Sequence, residues 1–75
     1  MISQKVKDLV DGIVLVYASY GFTDWDEAIH DSIESAGEEG TTYTEAEIAE
    51  AEKLAMTIAR SLKQHYDTVS KEVLK

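Results

Sequence analysis

The sequence predicts an all-α protein of three helices, two shorter helices packed along one long C-terminal helix. Three observations carry that prediction. Apolar residues recur at Ile48, Ala51, Ala55, Ile58, Leu62, Tyr66, Val69 and Val73, always three or four apart, the spacing of one helix face. No glycine or proline interrupts that stretch. Upstream, two shorter periodic segments are each preceded by a capping residue and followed by a glycine. The chain of 75 residues makes one domain, near the size where a single core barely offsets chain entropy.

Ser3 is placed to cap a first helix over Gln4–Tyr20, with Gly21 as a left-handed stop and Phe22 folding back on the last turn. Val6, Leu9, Val10, Ile13, Val16, Tyr17 and Tyr20 form its main face. Leu15 points the opposite way, flanked by Val14 and Ala18, so the second half is apolar nearly all round and predicts burial on two sides. Gly12 would permit a close helix approach.

Thr23 with Asp26 reads as the next capping box, opening a helix from Asp24 to Ala36 that Gly37 ends. Trp25, Ala28, Ile29, Ile33 and Ala36 share one face of it. A loop follows from Gly37 to Tyr43. Thr44 and Glu47 then form a capping box for the third helix, which from Glu45 to Leu74 makes a rod about 45 Å long at ~1.5 Å per residue. The expected core joins Val6, Val10, Ile13 and Tyr17 to Trp25, Ile29, Ile33, Ile48, Ile58 and Leu62. Either the three helices close as a bundle, or the far end of the long one projects to meet another chain.

Composition narrows the function. There is no cysteine, hence no disulfide or thiolate metal ligand, and His30 and His65 are the only imidazoles. The longest apolar run, Ile13 to Ala18, is far short of the ~20 residues a spanning helix needs. The N-terminus lacks the basic region and long apolar core of a signal peptide, so the expected location is cytoplasmic. The net charge of −8 is unevenly spread: residues 1–23 are neutral, residues 24–52 hold eleven acids and no base, and residues 53–75 sum to +3. Such a balance disfavours direct binding to nucleic acid or an anionic membrane, which need a basic footprint, and favours a basic partner.

Motifs with catalytic or metal chemistry are weak. Glu27-Ala-Ile-His30 has the Glu-x-x-His step of bundle di-iron proteins, but the second copy is missing, because Leu62 stands three residues before His65. Asp24-Trp25-Asp26 begins like a calcium loop, yet Ile29 occupies the position that needs glycine. His65, at the edge of the long apolar stripe, reads as a half-buried histidine at a packing seam. Asp31-Ser32-Ile33 resembles the Asp-Ser-Leu site of acyl carrier proteins, which are also small, acidic and helical. That resemblance covers three residues and would put phosphopantetheine on Ser32. In the family the serine opens a long acidic helix, whereas Ser32 lies late in its helix. A carrier or small metal-binding protein is therefore the lowest-ranked alternative; no enzyme activity and no cofactor are expected.

The acids are the most informative feature. Asp24, Glu27, Asp31, Glu34 and Glu38 step by three and four, which lines them up opposite Trp25 and Ile29. Glu39, Glu45, Glu47, Glu50 and Glu52 extend the field. The expected partner-binding set is Asp24, Glu27, Asp31, Glu34, Glu38, Glu47 and Glu50, with Tyr43 as an apolar anchor between the two acidic segments. Val14, Leu15, Ala18 and Met56 are the expected self-association residues of a possible homodimer. The leading expectation is a non-catalytic interaction protein binding a basic, nucleic-acid-handling protein, in the manner of phage or mobile-element inhibitors that imitate nucleic acid. The alternative is a structural homo-oligomer whose acidity serves solubility.

Overall fold

The computed structural model describes residues 3–73, and the side chains of residues 3–69. They form three helices and no strand: α1 (Gln4–Ser19), α2 (Trp25–Glu38) and α3 (Glu45–Val73). Leu74, the expected last residue of the third helix, lies outside the described residues, as do the side chains of Lys71 and Val73.

Local chemistry sets most of the helix ends. Ser3 Oγ accepts a hydrogen bond from the Val6 N–H at 3.2 Å, satisfying a donor that the first turn leaves orphaned. At the other end of α1, Gly21 takes φ +71°, the Phe22 N–H donates to the Tyr17 carbonyl and the Gly21 N–H to that of Ala18, each at 3.0 Å. This is a Schellman turn, and its usual apolar clasp is present as the edge-to-face contact of Phe22 on Tyr17, centroids 5.6 Å apart. For α3 the capping box is reciprocal. The Glu47 N–H donates to Thr44 Oγ1 at 3.1 Å, and the Thr44 N–H donates to Glu47 Oε1 at 2.9 Å.

The ends of α2 correct the sequence reading at both termini. The expected box of Thr23 and Asp26 does not cap it. Thr23 Oγ1 donates back to the Tyr20 carbonyl at 2.7 Å, and the cap is Asp24, which accepts from the Glu27 N–H at 3.2 Å. A carboxylate there also sets a full negative charge against the positive end of the helix dipole. Gly37 does not stop the helix either. The chain runs through it to Glu38, and Gly40, at φ +87°, makes the turn, with the Gly40 N–H donating to the Gly37 carbonyl and the Thr41 N–H to that of Ala36.

A Cβ added at Gly37 or at Gly40 meets nothing within 4 Å, so backbone conformation alone separates the two sites. Gly37→Ala should stabilise the fold by ~0.5–1 kcal/mol through helix propensity. Gly40→Ala should destabilise it by roughly 1–2 kcal/mol, the cost of a left-handed L-residue. Urea unfolding of both variants checks this. Effects of the same sign would place the end of α2 elsewhere.

The three helices run up, down and up. Gly12 of α1 faces Ser32 of α2, while Tyr17 meets Trp25, so α1 and α2 are antiparallel. Lys5 near the start of α1 reaches Glu47 in the first turn of α3, while the far end of α1 leads through Phe22 to Tyr66, so α1 and α3 are parallel. The most extensive contacts are those of α1 with α3 and of α1 with α2, which makes α1 the buried middle of the fold. Its Val6, Leu9, Val10 and Ile13 are buried against Ala51 and Ala55 of α3. On the other side the surfaces are small too: Ala28 and Ser32 are buried, and a Cβ on Gly12 would lie at an ordinary 3.6 Å from Ser32 Oγ.

Ile58 and Leu62 are not in the core. Each is 43% exposed, against 0% for Ile13. α1 packs on the buried alanines Ala51, Ala55 and Ala59, with Ile58 to one side of them, and α3 then continues past the end of α1 at Ser19, where Phe22 rests on Tyr66. Tyr66 and Val69 are exposed on that continuation, and the longest dimension of the molecule, 46 Å, is that of the projecting helix. Among the described residues no helix is long and apolar enough to cross a membrane.

Candidate functional site

The outward face of α2 presents Asp24, Glu27, Glu34 and Glu38 exposed, with Asp31 half-buried among them. They are not equivalent. Asp24 is engaged as the helix cap. Asp31 accepts a hydrogen bond from the Tyr20 hydroxyl, which crosses from the end of α1. That bond, ahead of the nearby carboxylates, pushes the Tyr20 phenol up to about 12, and it holds the Asp31 carboxyl below its ordinary value. Glu27 is raised, chiefly by the like charge of Asp31. Asp31 is thus the carboxylate held charged, and Glu27 the one its neighbour disfavours.

His30 stands among these acids, its Nδ1 3.6 Å from Glu34 Oε2 and 3.8 Å from Asp31 Oδ1. Glu27, His30 and Asp31 bring ligand-type atoms within 4.8 Å of one another. All three come from one helix, two are exposed, and among the described residues no further histidine or carboxylate from α1 or α3 joins them, so the group is an open, solvated cluster. His65, expected half-buried, is exposed on the projecting part of α3.

Several expected site residues serve the fold instead. Glu47 is bound into the Thr44 capping box and paired with Lys5 at 3.1 Å; the Thr44 N–H and then Lys5 hold its carboxyl below the ordinary range. Lys5 therefore supplies a cation to an acidic segment that has none of its own, and Glu47 is not free for a partner. Tyr43 is not an outward anchor: it packs against the core, its hydroxyl donates to the Lys5 carbonyl at 3.3 Å, and the Lys5 ammonium lies 5.1 Å over its ring. Glu50 is exposed as expected. Ser32 is buried and donates to the Ala28 carbonyl at 2.8 Å, so it offers no accessible hydroxyl of the kind a carrier protein needs.

The expected self-association residues do not form one patch. Val14 packs against the core and Ala18 is half-buried. Leu15, 74% exposed, stands at the rim of an open groove of about 670 Å³ between α1 and α2, lined by Leu9, Gly12, Val16, Ala36 and Tyr43. Met56 belongs to a separate niche of about 270 Å³ with Tyr17, Trp25 and Ala59, rimmed by Arg60 and Lys63. There the Trp25 indole N–H is buried without an acceptor. Sequence reasoning missed the Tyr20–Asp31 and Lys5–Glu47 links, which join separate helices and leave no periodic trace. It also missed the exposure of Ile58 and Leu62, for which a signal existed in the change from alanines to large residues along one stripe.

Comparison with protein-family models, with curated proteins and with solved structures finds no match to this chain.

Proposed function

We propose that this chain is a non-catalytic interaction protein whose α2 face engages a basic protein surface. The observation that supports the reading is the row of Glu27, Asp31, Glu34 and Glu38 on one helix face, in a segment without lysine or arginine. Helical rise spaces successive carboxylates ~5 Å apart, a linear array of charge suited to a groove that ordinarily takes a phosphate backbone. The partner is then a nucleic-acid-handling protein. In this reading the chain contacts neither nucleic acid nor membrane directly, and it acts in the cytoplasm as a phage or mobile-element inhibitor would. Rim charges mainly set the encounter rate, so affinity also needs an apolar contact. Leu15, the most exposed large apolar residue among the described ones, takes the role that Tyr43 cannot.

Replacing Glu27, Asp31 and Glu34 together by glutamine should leave α2 folded while slowing association. Against a basic protein recovered by salt-sensitive pull-down, the rate constant at low salt should fall ~10-fold or more, and its salt dependence should flatten. An unchanged rate and salt slope would leave the acids a role in solubility alone. The homo-oligomer reading has its own support in the uncovered apolar stripe of α3.

A further inference from the structure

We propose that two copies of this chain pair through the projecting half of α3, antiparallel, along Ile58, Leu62, His65 and Val69. This inference stands apart from the acidic-partner reading and does not rest on it.

The first ground is the change in residue size along a single helix face. Where α1 covers α3, the face carries Ala51 and Ala55, both fully buried. Beside the buried Ala59 and on beyond the end of α1, the helix carries Ile58, Leu62 and Val69, each 43% exposed. Small residues let two helices of one chain approach closely, whereas large ones fill the space to a partner. A surface left to water has no physical need of them. The projecting length is also marginal as an isolated helix, since helices under ~12–15 residues are weakly stable without packing.

The second ground, the spacing, selects the occupant. Residues 58, 62, 65 and 69 step by four, three and four, which reads the same in both directions. An antiparallel two-fold axis between residues 63 and 64 therefore sets Ile58 on Val69 of the second copy and Leu62 on its His65, twice over, as an isologous interface requires. Ser61 and Thr68, which flank the seam in heptad register, are uncharged, so identical copies meet no repulsion there. Tyr66, the other flank, is held on one side by Phe22, with ring centroids 5.7 Å apart.

Charge selects the orientation. Residues 53–75 sum to +3, whereas residues 24–52 carry eleven acids and no base. Parallel pairing sets the positive arms side by side and the acidic bodies side by side. Antiparallel pairing points each positive arm toward the acidic body of the other copy and opposes the helix dipoles.

Sedimentation equilibrium of the full chain over a concentration series should show a mass approaching twice 8.3 kDa. Leu62→Glu should raise the dissociation constant roughly thirtyfold or more, as for a central apolar anchor. Because Leu62 lies outside the core, circular dichroism and thermal melting at low concentration should stay as in the parent. Leu15→Glu should leave the dimer intact. The chain has no cysteine, so the register can be read directly. Single variants Ile58→Cys and Val69→Cys, mixed and oxidised, should give the mixed disulfide in excess over either symmetric one. A monomer throughout the series, a dimer indifferent to Leu62→Glu, or a preference for symmetric disulfides would each overturn the proposal.

Discussion

Ile13→Ala should lower the stability of the fold by ~2–5 kcal/mol, a large share of what a small domain has. Ile13 is the largest fully buried side chain among the described residues. It lies on α1 where that helix is enclosed by the other two, and its neighbours across α3 are Ala51 and Ala55, too short to move into the space it would leave. The cost is therefore the lost transfer free energy together with an unrelieved cavity. The informative comparison is Ile58→Ala. Periodicity alone ranks Ile58 as core, but at 43% exposure its truncation should cost under ~1 kcal/mol, the scale of a partly exposed surface change. Both should be measured by urea unfolding in the Leu62→Glu background, which keeps pairing between copies out of the comparison. Equal losses at the two sites would mean that the face beyond α1 is covered within one chain. An Ile13→Ala variant that unfolds like its parent would mean that α1 does not pack as described.

Ala55→Leu should cost ~1–3 kcal/mol through overpacking, although leucine is nearly as good a helix former as alanine. Ala55 is fully buried in the seam between α1 and α3, among Val6, Leu9, Val10 and Ile13. The three added carbons have no void to enter, so either the rotamer or the distance between the helices must give. Thr57→Leu, an exposed site two residues on, provides the control and should be neutral or slightly stabilising. Circular dichroism melts of the pair separate packing from propensity. A neutral Ala55→Leu would show that the alanines do not set the spacing of α1 and α3.

What the sequence determined by itself is what acts over a few residues. The Ser3 cap, the Thr44–Glu47 box and the Gly21–Phe22 turn each close between residues three to five apart, so their chemistry is legible in order along the chain. The all-α class and the row of acids on α2 are legible for the same reason, since a helix turns neighbours at three and four into one face. The tertiary structure decided where such faces end. Periodicity shows that Ala55, Ile58 and Leu62 share a side of α3, but not that α1 packs on the alanine and leaves the last two partly exposed. It decided which of two local solutions prevailed around α2, Asp24 over Thr23 and Gly40 over Gly37, because both candidates at each end were chemically fit and stood only one and three residues apart. It also decided which acids remained free. Lys5 is 42 residues from Glu47 in the chain, and Tyr20 is 11 from Asp31. A charge or hydroxyl delivered across a helix interface follows no sequence period, so Glu47 and Tyr43 became part of the fold while Glu34, Glu38 and Glu50 stayed in water.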